Sequence, residues 1–311
     1  MYRDIPPWVI PPTEIYDVFK GLQKTLSISS EYQCLFNEFT SYHKGSRLVF
    51  TDGSKSEVAC AVSSAYHGIM QTRLSSVCSI YTAELIAIKM ALELVAAECQ
   101  HTTIVCTDSM SALQSISTIF PMHPIVQDIQ IALYNIYKRG RKVSFAWVPG
   151  HMGIAGNEKA DAAAKGALTL PEQAPILVPY QDVQAALRRT VLRQWSDVWT
   201  NITNNKLRMI KPVTSMWPSS VRRTRREEVI IARLRIGHCA LTHSYLFTEE
   251  KTPPRCGHCD CPLTLRHFLT ECGEYQLTRD RLGLGGSLEF ILGDDADRLS
   301  CVIEFMKKLA L

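Results

Sequence analysis

Four acids define the chemistry open to this chain of 311 residues: Asp52, Glu84, Asp108 and Asp161. Asp52 and Asp108 each follow a short apolar run, Leu48 to Phe50 and Thr103 to Cys106, that reads as a buried strand. Gly53 permits a sharp turn after the first of them. Glu84 opens a long helical pattern, and Asp161 sits just inside another. A lone Asp before Gly is ordinarily a turn residue, but four acids at element ends can converge. Clustered carboxylates repel one another unless cations lie among them. Hard oxygen ligands of this kind suit divalent metal, and two magnesium ions clamp the attacking and leaving oxygens of a phosphodiester. The alternative is four solvated acids at unrelated element ends.

A second group of ligating side chains lies far along the chain. Cys256-Gly-His-Cys259 has the two-residue gap of a zinc turn, and His267 and Cys272 follow on an expected helix from Leu263. Thiolate with imidazole is the ligand set that zinc prefers. The order resembles a zinc knuckle with a longer central gap, and Cys261 and His258 compete as ligands. Free thiols in a reducing cell are the alternative.

The elements that must position the acids follow from periodicity. Residues 1–45 open with Pro6, Pro7, Pro11 and Pro12 around Trp8, too proline-dense for regular structure, and read as an extended arm. Arg47 to Thr51, Glu57 to Ser63 and Ile69 to Leu74 are strand-like runs that form an antiparallel meander. Tyr81 to Cys99 places Leu85, Ile88, Leu92 and Val95 at helical spacing, with Ser79 or Thr82 as cap and Glu84 in the first turn. A strand at Thr103 to Cys106, helices at Ser109 to Ile119 and Ile125 to Tyr137, a strand at Val143 to Val148 and a helix at Ala155 to Leu168 complete the pattern. Strands that first meander and then alternate with helices imply an α/β fold: a mixed sheet with helices on both faces, and its site at the carboxyl ends of the parallel strands.

Pro171, Pro175 and Pro179 mark a linker over 169–181 between this unit, 46–168, and a helical region over 182–311 that contains the zinc-like segment 256–272. There Val183, Leu187, Val191, Trp195 and Trp199 recur at helical spacing, a stripe expected to pack. Arg222, Arg223, Arg225 and Arg226 form a basic group, and Val229 to Ile236 reads as helix. A net charge of +4 and 46% apolar residues suggest two folded domains, without the strongly basic footprint of a dedicated nucleic-acid binder. Eleven cysteines without a secretory leader point to an intracellular, reducing compartment, nucleus or cytoplasm alike. No run is long enough to span a membrane.

TDGS around Asp52, TAEL with Glu84, TDS with Asp108, and the segment from Trp147 through Val-Pro-Gly-His151 to Gly156-Asn157-Glu-Lys-Ala-Asp161 together resemble the type I ribonuclease H family. The form of the last segment is most similar to ribonuclease H domains of arthropod non-LTR retrotransposon polyproteins. The resemblance implies a ribonuclease H-like five-stranded sheet and an endonuclease that hydrolyses the RNA strand of RNA/DNA hybrids, using two magnesium or manganese ions. It implies that Asp52 bridges both ions, that Asp161 completes the site orienting the attacking water, and that Glu84 and Asp108 hold the metal near the leaving 3′ oxygen. His151 matches a histidine that assists proton movement or product release. Gly53, Ser54, Ser79 and Asn157 fall where substrate contacts are made. No YxDD-like signature occurs, so a reverse transcriptase would be supplied separately, and the chain resembles a detached C-terminal portion of such a polyprotein or a gene derived from one. An alternative of another class is a catalytically idle nucleic-acid-binding protein that uses its basic, zinc-knuckle-like tail.

The sequence also departs from the family. Lys55-Ser56-Glu57 replaces a Gly/Asn-rich loop, Met110 stands where a polar side chain is common, and a basic protrusion is missing between the helices ending near Ile119 and starting near Ile125. Weak affinity for hybrid is expected. The run Lys138, Arg139, Arg141, Lys142 either contacts phosphates in compensation or is a solvated turn.

Overall fold

Strand β2, Arg47–Ser54, shows how the sheet is built. Successive side chains of a strand point to opposite faces, so Val49 enters one apolar core while Phe50 enters another. The same alternation holds in β5, Thr102–Thr107, where Val105 joins the first core and Ile104 and Cys106 the second. In β6, Lys142–Trp147, Phe145 and Ala146 divide likewise. The structure is a computed structural model that describes residues 5–22, 27–54, 58–97, 102–172, 178–217, 222–247 and 252–309. Every candidate site residue lies within these, whereas the turn at Lys55 to Glu57, Cys99 and Pro175 lie outside them.

The sheet has six strands in the order β1-β6-β5-β2-β3-β4. β3, Ala59–Ser64, and β4, Gly68–Arg73, continue antiparallel from β2 as the expected meander, while β5, β6 and β1 add in parallel. One core lies under α2, Ile80–Ala97, α3, Met110–Ile116, and α4, Pro124–Lys138. The opposite core lies under α1, Ser29–Tyr42, and α5, Ala155–Gly166, with Phe19, Tyr32, Phe36, Ile154 and Ala160 buried in it.

The N-terminal segment corrects the expectation of an irregular arm and of five strands. Ile15–Tyr16 form β1, a sixth strand in parallel register with Phe145 and Ala146 of β6. Glu14 anchors it by accepting from Ser144 Oγ at 2.7 Å and pairing with Lys142 at 2.7 Å. The helix behind it was written in the spacing of Tyr32, Leu35, Phe36 and Phe39, an apolar face at helical period. The same segment disposes of part of the basic run. Lys142 is paired with Glu14, and Arg139 and Arg141 donate to the carbonyls of Val95 and Ala96 at the end of α2, as cations at a helix C-terminus do.

The chain divides into two units, residues 1–187 and 188–311, with the division inside α6, Tyr180–Asn201. Before the division, Asp182 is buried and accepts from the Ser79 amide at 2.9 Å ahead of α2. The apolar stripe of α6 is not packed as expected: Trp199 is buried, with Nε1 donating to the Lys211 carbonyl, while Val183, Leu187, Val191 and Trp195 are exposed. The second unit gathers α7, Arg225–Arg235, α8, Ala240–His243, α9, Gln276–Arg281, α10, Leu288–Leu292, and α11, Ala296–Lys308. Its core includes Ile231, Leu234, Phe268, Ile291, Val302 and Phe305. Charge is divided unevenly. Residues 1–187 hold 14 lysines and arginines against 16 acids, and residues 188–311 hold 20 against 14.

Candidate functional site

Asp52 stands within β2 opposite Ala61, on the same face as Phe50 and so toward α5. The expected sharp turn at Gly53 is absent, since the strand continues through Ser54. Glycine is needed there for space. A Cβ on Gly53 would lie 2.9 Å from Glu84 Oε1 and 3.1 Å from the Glu84 amide nitrogen. That approach lets the Gly53 amide donate to Glu84 Oε1 at 3.0 Å, fixing the carboxylate beside Asp52. Glu84 lies in the second turn of α2, because the helix begins at Ile80, with Ser79 Oγ accepting from the Thr82 amide as its cap.

Asp108 follows β5 directly. Its carbonyl accepts from Trp147 Nε1 at 3.0 Å, which ties the ends of β5 and β6 together. Gly150 crosses so close that a Cβ there would lie 2.6 Å from Asp108 Oδ2. Carboxylate oxygens of Asp52, Glu84 and Asp108 all come within 4.8 Å of one another.

Two of these acids are unlike surface carboxylates. Asp52 and Glu84 are buried, and Asp52 Oδ2 and Glu84 Oε2 have no hydrogen-bond partner. Burial, then the neighbouring charges of Asp108 and Asp161, push the Asp52 carboxyl up to about 7, against the pull of Lys165. Burial, then Asp108 and Asp52, push Glu84 up to about 9, partly offset by the Gly53 amide. Buried carboxylate oxygens without donors, converging within 5 Å, fit a hard divalent cation.

Asp161 is not brought into that triad as closely. It forms a 2.7 Å ion pair with Lys165, one turn on along α5, and groups instead with His151 and Glu158. His151 Nδ1 is 3.8 Å from Asp161 Oδ2 and 3.9 Å from Glu158 Oε2. The histidine is exposed and holds a left-handed backbone, φ 60°. Glu158 was missed in the sequence; the signal was its place three residues before Asp161 on one helical face. Among the expected substrate contacts, Ser54 is buried in β2, Ser79 is engaged as a cap, and Asn157 is buried in α5 with Oδ1 unpartnered.

In the second unit, ligand atoms of Cys256, Cys259, His267 and Cys272 also lie within 4.8 Å of one another. Cys256 and Cys259 Sγ stand 3.7 and 3.8 Å from Cys272 Sγ. The Cys259 amide, the His267 ring and the His258 amide hold the Cys256 thiol below its usual range. The competitors lie outside this group: His258 faces Glu274, and Cys261 Sγ lies 3.4 Å from His267 Nδ1. Three thiols and one imidazole at this spacing fit tetrahedral zinc. Of the basic group in the same unit, Arg222 donates to the Ala296 carbonyl and to Ser300 Oγ, and Arg225 pairs with Glu228, leaving Arg223 and Arg226 as exposed cations.

Comparison with known proteins bears on the first unit. Residues 44–169 match the model of the RNase H family. Over 150 residues the chain is 35% identical to the Pol polyproteins of equine infectious anemia virus, isolates 1369 and CL22. The matched stretch is 45% of this chain and 12% of either relative, so the chain spans a small part of the proteins it resembles.

Proposed function

We propose that residues 44–169, with the segment before them, form a nuclease that hydrolyses the RNA strand of RNA/DNA hybrids. The observation that carries this is the triad of Asp52, Glu84 and Asp108, the first two buried, converging beside the carboxyl ends of β2 and β5 within the stretch that matches RNase H. Asp52, Glu84 and Asp108 would hold a divalent cation, magnesium or manganese, and Asp161 would turn from Lys165 to help hold a second. Bound there, such ions supply Lewis acidity at the phosphoryl oxygen and a water acidic enough to act as nucleophile near neutral pH.

The chain's own groups do the rest. The Gly53 amide keeps Glu84 oriented, and Trp147 keeps the Asp108 backbone at the carboxyl end of β5. His151, exposed beside Asp161, is placed to carry protons or assist product departure. The 2′-OH is the mark by which the RNA strand is told from DNA. The segment from Trp147 to Asp161 supports an origin in a non-LTR retrotransposon of arthropod type, working on hybrid made by a reverse transcriptase supplied separately. The cysteines described are free, which suits a reducing intracellular compartment. In residues 188–311, we propose a zinc ion held by Cys256, Cys259, His267 and Cys272, in a basic region that contributes affinity for nucleic acid.

The test is a labelled RNA/DNA hybrid incubated with purified protein and magnesium or manganese, against EDTA. Cleavage of the RNA strand with added cation, lost in Asp52→Asn and Asp108→Asn while the fold persists, is the expected result. Unchanged cleavage in either variant would refute the metal-site assignment. Hybrid binding without cleavage under any cation would favour the idle, binding-only reading.

A further inference from the structure

The His151 loop is held from outside the stretch that matches RNase H. Gln33, on the exposed face of α1, directs Nε2 at the Met152 carbonyl from 3.5 Å, longer than a usual hydrogen bond. Ser29, at the start of the same helix, lies with Oγ 3.7 Å from Met152 Sδ, and Met152 packs against the core beneath α1 and α5. Gly153 lies so near that a Cβ on it would be 2.0 Å from Gln33 Nε2, and its φ of 74° is one that side chains other than hydrogen disfavour. From the other side, the Gly153 amide donates to Glu158 Oε1 at 3.2 Å. The loop is thus pinched between α1 and α5, with the strained His151 at its tip.

We infer that α1 is part of the catalytic apparatus and that Gln33 is a positioning residue, clamping the loop at 150–153 so that His151 is held beside Asp161. This rests on the nuclease reading above. A side chain left to sample a loop's conformations spends only part of its time where proton transfer is possible, and one lost side-chain hydrogen bond weakens such a restraint modestly. The contact is local and exposed, so its loss leaves the cores intact.

The experiment is a double-mutant cycle on the full chain with Gln33→Ala, His151→Ala and the pair, read by hybrid cleavage and by amide hydrogen exchange. Gln33→Ala should lower kcat about threefold to tenfold with KM nearly unchanged, and exchange at residues 150–153 should quicken while Tm holds. In the His151→Ala background, Gln33→Ala should add nothing. Equal losses in both backgrounds, a change confined to KM, or unaltered exchange in the loop would each overturn the inference. A wild-type chain that cleaves nothing refutes the nuclease reading and the catalytic half of this one, while exchange still decides whether the clamp exists.

Discussion

Asp52 and Glu84 are raised acids, and the sign of their effect on stability follows from that. Between the ordinary carboxylate range and about 7 for Asp52, or about 9 for Glu84, the folded chain holds protons that the unfolded chain has released. Stability without metal therefore falls as pH rises through that window. Asp52→Asn removes the penalty. In EDTA at pH 8 it should raise stability by on the order of 2 kcal/mol, a Tm gain of several degrees, and should be nearly neutral at pH 4. A scanning calorimetry series that shows no pH dependence in the difference would contradict the burial of this carboxyl. Close approach of two glycines to the acids also governs metal response. Gly150→Ala presses on Asp108 Oδ2, and Gly53→Ala on both the Glu84 side chain and its backbone amide. The first should weaken magnesium activation with little loss of stability. The second should do both, since backbone cannot turn aside as a carboxylate can. Titration of cleavage against magnesium, beside thermal melts, separates the two.

At the scale of elements, the segment before residue 44 decides whether the rest can fold. Phe19, Tyr32 and Phe36 are buried against Phe50, Ile104 and Ala146, and β1 covers the middle of an otherwise open β6. A chain starting at residue 44 keeps every acid of the site but exposes that face and edge, and it should aggregate or fail to fold. Phe36→Ala alone should cost about 3–5 kcal/mol in denaturant melts of the full chain. Much of this architecture was legible. Short apolar runs in β2, β5 and β6, buried on both faces, and the helical spacing after Tyr81 yielded the strands and α2 from the sequence. What escaped notice did so for physical reasons. β1 has two residues among prolines, too short for period 2 to show, and its place is set by Glu14 reaching Ser144 and Lys142 far along the chain. Gly53 was misread because a glycine after an acid signals a turn, and nothing local reveals a carboxylate from another element resting on its face. The triad was foreseeable from element ends, but the attachment of Asp161 to Lys165 depends on rotamers that spacing does not fix.

For the whole molecule, the second unit should be separable in chemistry from the first. Cys256→Ser or Cys272→Ser should release about one equivalent of zinc per chain, measured by mass spectrometry, and lower the stability of residues 188–311. Cleavage should survive in both variants, since none of the acids is involved. Replacing Arg223 and Arg226 together should reduce the slope of log affinity against log salt by up to about two units, measured in calcium to prevent turnover. An unchanged slope would remove this surface from the nucleic-acid contact. The division of charge has a further consequence for turnover. The unit proposed to cut holds fewer cations than acids, and the surplus of cations lies in the other. On the proposed reading, capture and release would be governed separately: the basic unit would set how often a hybrid is caught, while the acidic one would have little grip on the fragments it makes. Raising salt should erode kcat/KM steeply and leave kcat almost untouched, the pattern of a catalyst limited by catching its substrate and quick to let go.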